Sequence, residues 1–147
     1  MWTAWLQGFD DSVAIRLADP VDELALARAE HQLGLTLPED LRSLLAETDG
    51  IADASDVELV WAAERIAEEN LGLRRDHETP AVPRGGGDLL FFGDTGTEDL
   101  FAYRITADGS VSGPDVYLWN YQLATARWIA SDLQALLDAW FSGELEL

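Results

Sequence analysis

Leu89-Leu90-Phe91-Phe92, the polar turn Gly93-Asp94-Thr95-Gly96-Thr97 and the segment Phe101-Ala102-Tyr103-Arg104-Ile105 decide the fold class. Before Leu89 the apolar residues recur three and four positions apart, as on one helix face. From Leu89 onward they run together or alternate, as in strands. Phe101, Tyr103 and Ile105 alternate with Ala102 and Arg104, which predicts a half-buried strand. Asp108-Gly109 is a tight-turn dipeptide. Val116-Tyr117-Leu118-Trp119 and Arg127-Trp128-Ile129 give two more strands, with a turn near Leu123 to Ala126. Strands that follow one another through short turns pair antiparallel.

Beyond the strands, Leu133, Leu136, Leu137, Trp140 and Phe141 complete an i, i+3, i+4, i+7, i+8 face. Ser131 and Gln134 have capping-box spacing for this last helix, and Gly143 ends it. Upstream, Arg74 to Asp88 carries two prolines and three consecutive glycines and reads as a loop. Trp61 to Leu73 reads as a helix with a thin stripe of Ala62, Ile66 and Leu73, preceded by a short strand over Val57 to Val60. Asp19-Pro20 opens an earlier helix, with Asp as N-cap and Val21, Leu24, Ala25 and Leu33 inside. Gly34 stops it. The next helix begins near Pro38, where either Leu37 or a Thr36/Glu39 capping box serves as its start. Leu41, Leu44 and Leu45 form its stripe, and Asp49-Gly50 closes it. Trp2, Trp5, Leu6 and Phe9 share one face of a first short helix, packed on the domain or, in the alternative, exposed to anchor a partner. Helices first, then strands, then a closing helix mean an α+β fold: an antiparallel sheet packed with N-terminal helices and a C-terminal helix. One domain over residues 1–147, with its core at about 19–142, accounts for the length.

The chain carries 28 Asp or Glu against 9 Arg, no Lys and no Cys, for a formal charge of −19, while 48% of its residues are apolar. So high an apolar share excludes a disordered acidic tail. A polyanion gains no counterion release from phosphates, which disfavours direct binding to nucleic acid, and an anionic membrane is disfavoured likewise. A basic protein is attracted. No apolar run approaches the roughly 20 residues of a membrane span, and the first residues lack a signal-peptide pattern, so a cytoplasmic location is expected.

Enzymatic chemistry finds little support. Without Cys or Lys there is no thiol nucleophile, Schiff base or phosphate-binding lysine loop. Asp76-His77-Glu78 are consecutive and poorly spaced to converge on a metal. His31 suits the C-terminal end of a helix dipole. Gly85-Gly86-Gly87 is followed by Asp88, which repels phosphate. Gly109-Ser110-Val111-Ser112-Gly113 places Val where a nucleophile elbow has Ser. The expectation is a protein that is not an enzyme and needs no cofactor and no metal. A hydrolase using Asp94 to Asp99 with a divalent ion is the weakest alternative.

Leu33-Gly34-Leu35-Thr36-Leu37-Pro38, Leu41-Arg42-Ser43-Leu44-Leu45 running to Thr48-Asp49-Gly50, Leu90-Phe91-Phe92-Gly93-Asp94, Phe101-Ala102-Tyr103 and Val116-Tyr117-Leu118-Trp119 occur in an order that resembles the SUKH superfamily. This is the family of the fungal cell-wall assembly and killer-toxin-resistance regulators and of many bacterial immunity proteins. The resemblance implies binding: a cytoplasmic immunity protein that neutralises a toxin, often a nuclease, or a regulatory interaction module with no toxin partner. A strongly acidic inhibitor would steer itself to the basic face of such a toxin. Solubility and adaptation to a salty cytoplasm are the competing explanations of the charge.

Charge alone does not locate the contact. Asp94, Glu98 and Asp99 form one acidic turn between strands, and Asp53 and Asp56, with Glu58, form another loop. Glu64, Glu68 and Glu69 line a helix side. Each is either a solvated face or a partner contact, and the strand-connecting turn ranks first because loops on a rigid sheet are common binding positions. Tyr121 is a candidate aromatic anchor beside Tyr117 and Trp119, which share a strand face and are expected in the core together.

Overall fold

A computed structural model describes residues 1–9, 14–75, 89–106, 108, 110–120, 122–123 and 125–145. Along them run α1 (Trp2–Gln7), β1 (Ile15–Leu17), α2 (Glu23–Leu33), α3 (Glu39–Leu45), β2 (Ile51–Asp53), β3 (Glu58–Val60), α4 (Ala63–Arg75), β4 (Leu89–Asp94), β5 (Leu100–Arg104), β6 (Val116–Asn120), β7 (Thr125–Ala130) and α5 (Leu133–Ser142). The class is α+β, as expected. The strands form two antiparallel sheets, β1-β2-β3 and β4-β5-β6-β7. The sequence pattern missed β1 and β2 because three residues are too few to display alternation, and neither has an apolar pair like the Leu59-Val60 that marks β3.

Gly93 brings the two sheets together. Trp61, just after β3, donates its backbone N–H to the Phe92 carbonyl at 2.7 Å. A Cβ on Gly93 would lie 1.8 Å from the Leu59 carbonyl oxygen, so only glycine permits this crossing. Gly93 and Asp94 therefore belong to β4, and the turn expected at Gly93 begins two residues later. Asn70 of α4 adds a second tie to β4. Its amide donates to the Phe91 carbonyl at 2.7 Å and accepts from the Phe91 N–H at 2.9 Å, all buried.

One side of the larger sheet meets α5. Phe92 lies between Phe101 and Tyr103 at ring distances of 6.2 and 4.8 Å, and Phe101 meets Trp140 edge-on. Leu133, Leu136, Leu137 and Phe141 are buried there. Trp119 is buried as expected, whereas Tyr117 on the same face is only half-buried, under Arg104 at 4.7 Å. Helix α1 is part of the core. Trp2 and Leu6 are buried, Trp2 Nε1 donates to Ser43 Oγ at 2.8 Å, and Trp5, Phe9 and Phe141 make a chain of rings.

Several helix starts differ from expectation. The N-cap of α2 is Asp22, whose side chain accepts from the Ala25 N–H, because residues 18–21 are held extended by Thr48 Oγ1, Asp49 N–H and the Leu45 carbonyl. Leu24 consequently faces solvent, and Leu26, Ala29 and Leu33 form the buried stripe. Helix α3 has Pro38 as N-cap and no side-chain cap. The Leu37 N–H is taken instead by Glu30 at 2.8 Å, in place of the Thr36/Glu39 box. Asp132, not Ser131, caps α5 through the Ala135 N–H at 2.7 Å. Asp49 and Gly50 lie past the end of α3. Asp49 accepts the Ala63 N–H at the start of α4, Trp61 staying outside the helix, and Gly50 adopts φ of 106° where a Cβ would meet the Val60 carbonyl.

Candidate functional site

Two acidic loops meet at one end of the molecule. In the β2–β3 loop, Asp53 Oδ1 accepts from the Ser55 N–H at 2.8 Å and the Val57 N–H at 3.1 Å. This asparagine-type turn, common for a short acidic side chain, closes the loop. It leaves Asp56 at its tip with a left-handed φ of 63°, a conformation that Asp tolerates better than most residues. In the β4–β5 turn, Asp94 Oδ1 accepts from the Gly96 N–H at 2.8 Å, and the Thr95 and Thr97 hydroxyls pair at 2.7 Å. Gly96, φ 84°, lies against Val57: a Cβ there would be 2.6 Å from Val57 Cγ2. The structure thus brings Asp53, Asp56 and Glu58 beside Asp94, Glu98 and Asp99, from loops far apart in sequence.

These carboxylates are not equivalent. Asp94 is built into the fold. Its Oδ2 accepts the Trp61 indole N–H at 2.9 Å, and its side chain is only 17% exposed. Asp53 is spent largely on its own loop. Asp56, 76% exposed, Glu98, exposed, and Asp99, half-buried, are the ones presented outward. Tyr121 lies outside the described residues, as do the Asp76-His77-Glu78 cluster and the glycines at 85–87.

Two arginines missed by the sequence reading organise this face. Arg16 of β1 pairs with Asp56 across the small sheet. Arg65 of α4 lies over the Trp61 ring at 4.7 Å, pairs with Glu58, and reaches Glu69 at 3.6 Å and Asp94 at 3.8 Å. The spacing of Arg65 and Glu69 was legible as a helical i, i+4 pair; the contacts to Glu58 and Asp94 needed the fold. Beside the loops, an open groove of about 370 Å³ runs along β1 and β2 between Arg16, Asp49 and Glu58. Of the acids on α4, Glu64, Glu68 and Glu69 are exposed.

No group of three or more His, Asp or Glu among the described residues is placed to hold a metal ion. No helix among them is long and apolar enough to cross a membrane. What the arrangement offers chemically is a carboxylate-rich surface on a rigid sheet end. The sequence model of the SMI1 / KNR4 family (SUKH-1) matches residues 20–139, most of the chain and every element from α2 to α5 apart from the end of α5. No curated protein matches the chain.

Proposed function

The chain belongs to the SMI1 / KNR4 family (SUKH-1), and from that premise we propose that it is a non-catalytic binding protein. Its reading here is an immunity protein that neutralises a basic toxin of nuclease type by covering the cationic face with which the toxin grips its substrate. The observation that carries this reading is the juxtaposition of the two acidic loops through Gly96 and Val57 in a chain of net charge −19.

A nuclease must present cations to hold phosphates, and an inhibitor of that face gains by presenting anions in their place. Long-range attraction raises the association rate above the ~10⁵–10⁶ M⁻¹s⁻¹ of neutral docking. Speed matters because the antidote must arrive before the toxin cuts. Asp56, Glu98 and Asp99 supply the steering charges, and the rigid β-turn geometry fixes their spacing. The protein and its partner meet in the cytoplasm.

The test pairs protection with binding. Co-expression should rescue cells from one cognate effector, and the purified proteins should bind one to one, with an association rate that falls as salt rises. In Asp56→Asn/Glu98→Lys/Asp99→Lys, where Asn keeps the left-handed turn at position 56, association should slow at least about tenfold while the melting temperature holds. Binding to host proteins without protection would favour the regulatory scaffold reading instead. Turnover of a substrate abolished by one substitution would end the binding-protein reading altogether.

A further inference from the structure

The β6–β7 hairpin stands apart in charge. Val116 to Ser131 runs 16 residues without an Asp or Glu, in a chain that carries 28 of them, and no other acid-free stretch exceeds 9 residues. The acids at its two ends are engaged. Asp115 Oδ1 accepts the Trp128 indole N–H at 2.9 Å, and Asp132 Oδ1 accepts the Ala135 N–H at 2.7 Å. Two large apolar side chains are left in solvent here, Leu123 in the turn at 71% exposure and Trp128 on β7 at 55%.

The hairpin also ends the larger sheet. Strand β7 pairs with β6 on one side and with no other described strand. Trp128 lies opposite Tyr117, whereas Arg127 lies opposite Leu118, which itself opposes Phe101. Opposed residues share a face, and Phe101 meets Trp140 of α5. Trp128 therefore projects from the side turned away from α5. At Ile129 β7 holds one residue more than β6, since Tyr117 faces Trp128 and Val116 faces Ala130. That bulge leaves Thr125 to Trp128 as the straight part of the edge, with Thr125, Arg127 and Trp128 exposed. Apart from the bulge and Arg127, the edge has none of the usual guards against strand addition: it contains no acid and no proline.

We propose that a second copy of this chain pairs along β7, antiparallel about a two-fold axis normal to the sheet, joining two four-stranded sheets into one of eight. Charge selects this occupant. Two chains of net charge −19 repel wherever their carboxylates meet, and a two-fold contact sets the same patch against itself. An edge without carboxylates is the surface on which an identical chain can settle. A basic protein gains no attraction there and is drawn to the acidic loops instead. The axis puts both Trp128 rings on one face of the joined sheet, their indole N–H groups already satisfied and their ring surface left to bury. Four paired residues per strand and these rings fall short of the ~1,200 Å² at which stable interfaces begin, so the dimer forms only as concentration rises. The proposal does not rest on the toxin reading, and salt acts on the two in opposite directions.

The experiment is sedimentation equilibrium of the protein from ~10 μM to ~1 mM, the span of weak association. The average mass should rise towards that of two chains. It should rise more in about 1 M than in about 0.1 M NaCl, because a Debye length of ~3 Å instead of ~10 Å screens the like charges. Amide exchange at Thr125 to Trp128 should slow over the same concentration range. Trp128→Glu and, separately, Thr125→Glu should each raise the dissociation constant at least about tenfold, since each sets a carboxylate against its own copy. Thr125→Glu leaves the ring in place and decides the matter if Trp128→Glu lowers the melting temperature. A monomer at every concentration, which leaves the edge to a strand of another protein, would overturn the proposal. So would a dimer that weakens as salt rises, or one that survives both substitutions.

Discussion

The Trp61 indole N–H donates to Asp94 Oδ2 at 2.9 Å, tying the end of β3 to the end of β4 beneath the acidic turn. Asp94 Oδ1 meanwhile holds the Gly96 N–H. One carboxylate thus fixes both the crossing of the two sheets and the conformation of the loop offered to a partner.

Asp94→Asn should therefore act first on stability. The amide keeps one oxygen acceptor where the carboxylate used two, so either Trp61 or Gly96 loses its partner. The expected cost is about 1–2 kcal/mol, read from urea unfolding followed by tryptophan fluorescence. An unchanged midpoint, with slower binding to a basic protein, would move Asp94 from the scaffold to the contact surface.

Gly93→Ala should be far worse. With the Leu59 carbonyl oxygen 1.8 Å from the added Cβ, relief requires β3 and β4 to part. A loss of about 4 kcal/mol or more is expected, enough to leave the domain largely unfolded. Gly96→Ala meets only the tip of Val57 and a strained φ, so it should cost less and fold. Circular dichroism of the two variants side by side checks the order.

Asn70→Leu keeps the volume but strands the Phe91 N–H and carbonyl, both inside the protein. The expected destabilisation is about 2–4 kcal/mol, one buried donor and one buried acceptor at the usual cost each. Hydrogen exchange at the Phe91 amide should accelerate along with the loss of stability.

These three sites show what the sequence could and could not display. Leu133, Leu136, Leu137 and Phe141 announced α5 because a helix face repeats within the chain, and all four are buried. The hairpin strands β4 to β7 were legible for the same local reason, and the family words led to the right family. Asn70 gave no signal, since nothing in its neighbours says that its amide meets Phe91. The sequence pointed to Asp19 and Ser131 where the structure uses Asp22 and Asp132, because several residues near each helix start are competent caps. Only tertiary bonds, such as that from the Ala18 N–H to Thr48 Oγ1, choose among them. At the acidic face, the carboxylates were named from sequence, but their meeting at Gly96 and Val57, and the arginines among them, belong to the fold.

Burial, followed by the charges of Asp40 and Asp132, raises the Tyr103 phenol above its ordinary value. Below about pH 10 the group is neutral in both states and contributes no pH dependence. Above that value the unfolded chain releases the proton and the folded protein does not, so stability falls as pH rises. Phenolate absorbance from Tyr103 should appear together with loss of circular dichroism, and Tyr103→Phe should abolish that step. Its ionisation in the still-folded protein would contradict the assigned burial.

Arg65→Ala separates folding from binding most sharply. The guanidinium lies over Trp61 and partly neutralises Glu58, Glu69 and Asp94. Its removal loses a cation–π contact and exposed ion pairs, about 1 kcal/mol in all given the solvent around them. The same change makes the acidic face one charge more negative, which should speed capture of a basic protein at low salt. Lower stability with faster association, the difference vanishing at high salt, is the expected outcome in thermal unfolding and stopped-flow binding. Slower association would mean that Arg65 touches the partner itself or that the loops need it to keep their shape, and Arg65→Lys, which restores charge without the planar stack, would tell these apart.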